Sequence, residues 1–351
     1  MKTMVCLVSR QVMANLIPLF TLSIKNVELL YTVEEERSHK NLKRVLSDSG
    51  KNFTINEHLI DAYDFENIRT VCSEIISMHK DVILNATGGT KVMALAAYSV
   101  FNSKNKSIVY LDSHNNKTIN FNPYTIVDHK VKIPIDTILD AHGYKISSSV
   151  SNDDLLARKP LIKFIHKNFQ SIEGCLIQYR RFIYDGTVLF PPIRCRHIDF
   201  EITHHKMKGA VVKFGGSEIH LKDIYYLDGR WLEEYVYWSI INKKWDDLFV
   251  GANLTYHGQA DPNIILNEID VIGNKNGKLY LFSCKSGITK DKKDIFELEA
   301  LRSLAGGTFG KAYFVTSAPM RKEKHLYERC QELNIKIFDN ENFRTLLKEK
   351  L

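Results

Sequence analysis

Over the first 140 residues, short apolar runs of strand length alternate with amphipathic stretches of helical period, and this restricts the fold more than any other feature. Val5–Ser9, Val27–Tyr31, Asp81–Asn85 and Lys106–Leu111 read as strands. Between them, Arg10–Phe20, His39–Leu46, Asn67–His79 and Lys91–Phe101 read as helices, with Leu42, Val45 and Leu46 sharing one face. Strands separated by helices predict a parallel sheet with helices packed on it. The expectation is an α/β, Rossmann-like domain over residues 1–140.

The chain has 351 residues, room for about two domains at roughly 150 residues each. Apolar residues at 44% and charged residues at 25% exclude a disordered or low-complexity chain. The longest apolar run, Met93–Phe101, is far short of the roughly 20 residues that a membrane span needs. The first residues, interrupted by Arg10, read as a strand rather than a signal peptide. Cys6, Cys72, Cys175, Cys195, Cys284 and Cys330 form no CxxC pair and stand beside no metal-spaced His, so reduced cytoplasmic thiols are expected, and no zinc site. A net charge of +7 favours a polyanionic partner.

Residues 141–225 read as a basic linker or hinge. Residues 141–215 alone hold 12 Lys/Arg against 6 Asp/Glu, and Arg180 and Arg181 are interleaved with Tyr179, Phe182 and Tyr184. That pattern fits either nucleic-acid contact or a solvated basic face. Residues 226–351 read as a second α/β unit with a mixed sheet: helix Trp231–Ile241, strand Phe249–Tyr256, then a hairpin of Glu268–Ile272 and Lys278–Lys285 around Asn276-Gly277, a type I′ turn signal. A helix at Asp291–Leu304, strand Ala312–Ser317, helix Lys322–Leu333, strand Ile335–Phe338 and a terminal helix follow.

Two places carry chemistry. In the first domain, Asp81–Lys91 reads DVILNATGGTK, a strand, a glycine loop and a helix start. Gly88 and Gly89 admit close backbone approach, and the free N–H groups at Thr90 and Lys91 favour an anion. Ser9, Arg10 and Gln11, after the first strand, lie at the same sheet edge, where open α/β sheets bind ligands. Neither a Walker P-loop nor a GxGxxG fingerprint is present. In the second domain, strand alternation puts Glu268 and Asp270 on one face, and Ser283 and Lys285 on one face of the next strand. Counting outward from a turn that pairs Lys275 with Lys278 sets Asp270 opposite Ser283 and Glu268 opposite Lys285. Upstream, Glu233 and Glu234 sit among large apolar residues of the helix. Carboxylates with a nearby lysine are what a metal-dependent nuclease needs to hold Mg²⁺ or Mn²⁺ and to orient water.

The order of strand, S-R-Q-x-x-x-N and N-x-T-G-G-T-K-x-M (Asn85 to Met93) resembles a CARF domain, a cyclic-oligoadenylate sensor of type III CRISPR systems. The resemblance implies a homodimer that clasps a ring, most often cyclic tetra-adenylate, through Ser9, Gln11, Asn85, Thr87, Gly88, Gly89, Thr90 and Lys91. Residues 226–351, including the helix with Lys324, resemble a PD-(D/E)xK nuclease of restriction-endonuclease-like fold. That resemblance aligns Glu233, gives Asp270, Glu268 and Glu233 the metal, and gives Lys285 the attacking water. Ser283 stands where the motif has an acid, and a neutral hydroxyl is a weaker metal ligand. The expected activity is ring-activated, metal-dependent cleavage of DNA, RNA or both. The rivals are a sensor that binds without cutting and a small-molecule enzyme whose glycine loop holds a mononucleotide. Slow cleavage of the ring by Lys91 and its neighbours also stays open.

Overall fold

A computed structural model describes residues 2–186, 190–205, 209–258, 264–287, 292–320, 323–340 and 345. Seven strands form the first sheet: β1 (Thr3–Leu7), β2 (Asn26–Tyr31), β3 (Thr54–Leu59), β4 (Val82–Asn85), β5 (Ser107–Asp112), β6 (Lys117–Phe121) and β7 (Tyr124–Asp128). Their order is β3-β2-β1-β4-β5-β6-β7. The first five pair in parallel and the last two add an antiparallel hairpin. All five residues of β1 are buried, as a central parallel strand covered on both faces requires. The covering helices are α1 (Met13–Thr21), α2 (Glu36–Asp48), α3 (Phe65–Met78) and α4 (Lys91–Ser103).

After α5 (Ile135–Ala141), the chain enters a second sheet at β8 (Tyr144–Ser148). There follow α6 (Asn152–Tyr184), bent at Asn168, and a four-stranded antiparallel sheet of β9 (Ile193–Arg194), β10 (Phe200–His205), β11 (Gly209–Phe214) and β12 (Ser217–Leu221). Next come α7 (Trp231–Ile240), β13 (Asp247–Tyr256), β14 (Asn267–Lys275), β15 (Lys278–Lys285), α8 (Lys293–Ala305), β16 (Gly310–Thr316), α9 (Lys324–Glu332) and β17 (Lys336–Phe338). The second sheet is mixed, in the order β17-β16-β15-β14-β13-β8. The terminal helix expected after Phe338 lies outside the described residues, apart from Thr345.

The stretch expected as a hinge does not stand apart. β8 pairs with β13, and α6 shares one hydrophobic core with the small sheet, α7 and one face of the second sheet. Another core joins one face of the first sheet to the opposite face of the second. Tyr179 is buried with its hydroxyl donating to the Ile224 carbonyl, and Phe182 stacks on Phe190, so these two rings pack inside rather than offering a platform. Tyr184 remains exposed. Cys175 and Cys195 are joined as a disulfide, contrary to the expectation of six reduced thiols; the other four cysteines are buried and free. Among the described residues, no helix is long and apolar enough to cross a membrane.

Candidate active site and ligand loops

In the first domain, the loop after β1 and the loop after β4 touch. A Cβ on Gly88 would sit 2.3 Å from the Leu7 carbonyl oxygen and 3.4 Å from Ser9 Oγ. Only glycine allows so close an approach. Buried Asn85 ties the second loop to the first turn of α1. Its Nδ2 donates to the Ala14 carbonyl and to Asn15 Oδ1, both at 2.8 Å, and its Oδ1 accepts from the Thr87 N–H and hydroxyl. Thr87 Oγ1 in turn accepts from the Leu111 N–H at 2.9 Å. Asn85 and Thr87 thus build the loop, their side chains committed inward. Thr90 caps α4, accepting from the Met93 N–H and donating to the Ala62 carbonyl. Arg10 and Lys91 are exposed, with Arg10 Nε 3.4 Å from Glu35. Ser9, Gln11 and Gly89 are half-buried at the same edge.

In the second domain, Asn276 and Gly277 turn at φ of 54° and 71° and pair Lys275 with Lys278, the register that counting from the turn requires. The β14–β15 ladder runs to Val271–Phe282. Beyond it, Asp270 replaces the ladder with its side chain: the Cys284 N–H donates to Asp270 Oδ2 at 2.6 Å. On the other side, pairing with β13 passes from Val250–Val271 to Ala252–Ile269, leaving Gly251 at φ 58° beside Asp270. A Cβ there would lie 3.9 Å from Glu268 Oε1 and 4.0 Å from Glu233 Oε2, so these two carboxylates flank one glycine.

Glu233, Glu268, Asp270 and Lys285 therefore line one cavity of about 550 Å³, with Arg180, Asp228, Ser286 and Asp294 on its walls. Ser283 faces a smaller adjoining cavity with Glu268, Asp294 and Glu297. Burial, then the charges of Asp270 and Glu268, push the Glu233 carboxyl up to about 9. Burial also raises Asp270, to about 6, against the pull of Lys285 and the Cys284 N–H. Burial alone would lower the Lys285 ammonium, but Asp270 and Asp294 hold it above its ordinary value, with Asp294 Oδ1 at 3.6 Å. Two buried carboxyls pushed up side by side, chiefly by burial and further by each other's charge, mark a candidate functional site. Among the described residues, no three His, Cys, Asp or Glu side chains form a ready metal cluster.

Glu234 points elsewhere. Its carboxylate receives Arg158 Nε at 2.7 Å and the Tyr226 hydroxyl at 2.8 Å, inside the core. This resolves the choice between adjacent glutamates in favour of Glu233 as the one facing the cavity. Lys324 is also outside it, exposed and 3.6 Å from Glu328. Sequence reasoning missed Asp294, whose signal was an acid opening a helix. It also missed the strap in which Arg180, at the end of α6, reaches Asp228, the Asp228 carbonyl and Ser286 Oγ.

Residues 3–139 match the family model for the Card1 CARF domain, and residues 222–351 match that for the Card1-like endonuclease domain. The chain is a CARF-domain nuclease of the Card1 type. Its CARF domain carries the touching loops, and its endonuclease domain carries the acidic cavity. The fold is similar to that of Can2 from Sulfobacillus thermosulfidooxidans in complex with cyclic tetra-adenylate, at 20% identity and TM-score 0.79, covering 99% of this chain and 98% of that one. It is similar to protein VC1899 from Vibrio cholerae, at 16% identity and TM-score 0.75, covering 99% and 96%. It is also similar to a type III CRISPR defence DNA nuclease activated by cyclic oligoadenylate, at 16% identity and TM-score 0.55. That alignment covers 90% of this chain and 46% of the other. No curated protein matches the chain.

Proposed function

We propose that the chain is a metal-dependent endonuclease of type III CRISPR defence, cutting DNA, RNA or both, switched on by a cyclic oligoadenylate, with cyclic tetra-adenylate the leading candidate. The observation that carries this reading is the convergence of Glu233, Glu268, Asp270 and Lys285 on one cavity of the endonuclease domain. Asp270, Glu268 and Glu233 would hold the cation, whose charge would offset the burial, and the neighbouring carboxylates, that raise Glu233 and Asp270. A bound Mg²⁺ or Mn²⁺ would supply Lewis acidity at the scissile phosphate.

Lys285 stays protonated through the neutral range and places its ammonium where negative charge develops on the phosphorus centre. Asp294 keeps that ammonium in place. Ser283 contributes a hydroxyl in place of the motif acid, and Glu268 on the facing strand supplies the carboxylate instead. In the CARF domain of each subunit of a homodimer, Ser9, Arg10, Gly88, Gly89, Thr90 and Lys91 would meet the ring's phosphates and bases, while the Gln11 side chain is turned away from them toward Thr308. The start of α4 adds free N–H groups to that contact, while Asn85 and Thr87 hold the loops in shape.

A second reading keeps the sensor and drops the cutting. It is favoured by Ser283 and by the lack of a ready metal cluster among the described residues. Two binding measurements test the proposal. Thermal shift with cyclic tetra-adenylate against mononucleotides should show stabilisation by the ring alone; stabilisation by a mononucleotide alone refutes the sensor. Calorimetry with Mn²⁺ should show binding that Asp270→Asn weakens at least tenfold; equal binding by both chains refutes the metal assignment.

A further inference from the structure

Helix α1 follows one of the proposed ligand loops, and its middle packs against the endonuclease domain. Gln11, in the turn that opens α1, extends its side chain across the domain boundary. Its Oε1 accepts from the Thr308 N–H at 3.2 Å and lies 3.4 Å from Thr308 Oγ1. The fit is tight. A Cβ on Gly307 would sit 2.2 Å from Gln11 Oε1 and 2.4 Å from its Nε2, and Gly307 adopts φ 51°. No residue with a side chain could hold the amide there without displacing it. Six residues on, in the middle of α1, Ile17 packs beside Gly277, in the turn of the β14–β15 hairpin: a Cβ on Gly277 would be 3.3 Å from Ile17.

Both contact points belong to elements that lead to the acidic cavity. Gly307 and Thr308 follow α8, a helix of 13 residues that spans roughly 20 Å. Its buried face, Ile295, Leu298, Leu301 and Ala305, is fixed in the core. Its opening turn carries Asp294, which holds Lys285. The hairpin turn lies at the far end of the two strands that carry Asp270 and Lys285. A displacement of the Ser9–Gln11 loop is therefore passed to rigid elements that terminate on the catalytic groups.

We propose that α1 is the physical link between ring loop and nuclease cavity, and that Gln11, Gly307 and Thr308 are positioning residues that transmit ring occupancy through α8 to the Asp294–Lys285 pair. The inference rests on the reading of the chain as a ring-controlled nuclease. Coupling between two sites requires contacts that differ between the two states, and the Gln11 side chain carries the ring loop into hydrogen-bond contact with the endonuclease domain, accepting from Thr308. Loss of one neutral hydrogen bond changes an equilibrium by roughly 2- to 12-fold.

The experiment uses the full chain with Gly307→Ala, which drives the amide out from the endonuclease side. Thr308→Pro, which deletes the donated N–H and puts a ring carbon in its place against the Gln11 amide oxygen, is measured alongside and decides the matter if Gly307→Ala fails to fold. Cyclic tetra-adenylate affinity is read by calorimetry, and fold-activation as the cleavage rate with ring over the rate without. The expected result is a fold-activation lowered at least threefold with ring affinity within twofold of wild type. Unchanged fold-activation overturns the link, and so does ring affinity lost in parallel, which would make the contact part of the ring site. A wild-type chain that neither binds the ring nor cuts in response to it refutes the proposed function itself, and the link with it.

Discussion

Two adjacent glutamates on α7 should respond unequally to the same substitution. Glu233 faces the acidic cavity, 9% exposed, and its carboxyl is held near 9 against 4.5 for the free side chain. Between those values, the folded state keeps its proton while the unfolded chain releases it. Stability of the metal-free protein therefore falls as pH rises from about 4.5 toward 9, by about 1.4 kcal/mol per pH unit. At pH 7 the penalty is about 3 kcal/mol, and at pH 5 less than about 1. Glu233→Gln imitates the protonated form and removes this slope. Glu234 is 2% exposed, and burial raises its carboxyl too, against the pull of Arg158 and the Tyr226 hydroxyl, so in Glu234→Gln the relief of removing a buried charge is offset by loss of a charge-assisted pair worth about 1.5–3 kcal/mol, and the variant stabilises less than Glu233→Gln. Denaturant titration in EDTA at pH 5 and pH 7, followed by tryptophan fluorescence, measures both. All three tryptophans, Trp231, Trp238 and Trp245, lie in the endonuclease domain, so the signal reports it. A Glu233→Gln chain with the wild-type stability and pH slope would refute the reasoning, because the carboxylate would then be adequately solvated or paired. Added Mn²⁺ should stabilise wild type and stabilise Glu233→Gln distinctly less.

Other consequences can be checked directly. Lys285→Ala should abolish cleavage while leaving ring affinity within twofold; retained cutting would show that another cation serves the phosphate. Ser283→Glu restores the motif acid beside Asp270 and should tighten Mn²⁺ binding, read by calorimetry, by about tenfold, the effect of about 1.4 kcal/mol at one added charged ligand. Gly88→Ala would place a Cβ 2.3 Å from the Leu7 carbonyl oxygen; separation of the two loops should weaken ring binding at least tenfold, and unchanged affinity would place the ring elsewhere.

Local chemistry made much of this protein legible before its structure. β1 is apolar from Met4 to Leu7, the glycine loop follows its strand directly, and Asn276-Gly277 signals the turn from which the hairpin's register follows as far as Val271–Phe282. What could not be read depends on residues far apart in the chain. Nothing near Tyr144 indicates that β8 will pair with β13, more than 100 residues later. The Arg158–Glu234 pair spans 76 positions, Arg180–Ser286 spans 106, and Gln11–Thr308 spans 297. The basic stretch misled for the same reason: Arg180 is consumed by Asp228 and Ser286, and Tyr179 by the core, partners that composition does not show. The CARF motif pointed to the two loops that touch in the structure but not to the division within them, in which Asn85 and Thr87 point inward.

The central claim is that a ring on the CARF domain governs cutting at the Glu233–Glu268–Asp270–Lys285 cavity. Its most direct test is a time course of cleavage of supercoiled plasmid and of single-stranded DNA and RNA in Mn²⁺, with and without cyclic tetra-adenylate, for wild type and Asp270→Asn side by side. The account predicts cutting by wild type only when the ring is present, and none by Asp270→Asn under either condition. Equal cutting with and without the ring, or cutting by Asp270→Asn at the wild-type rate, would contradict it.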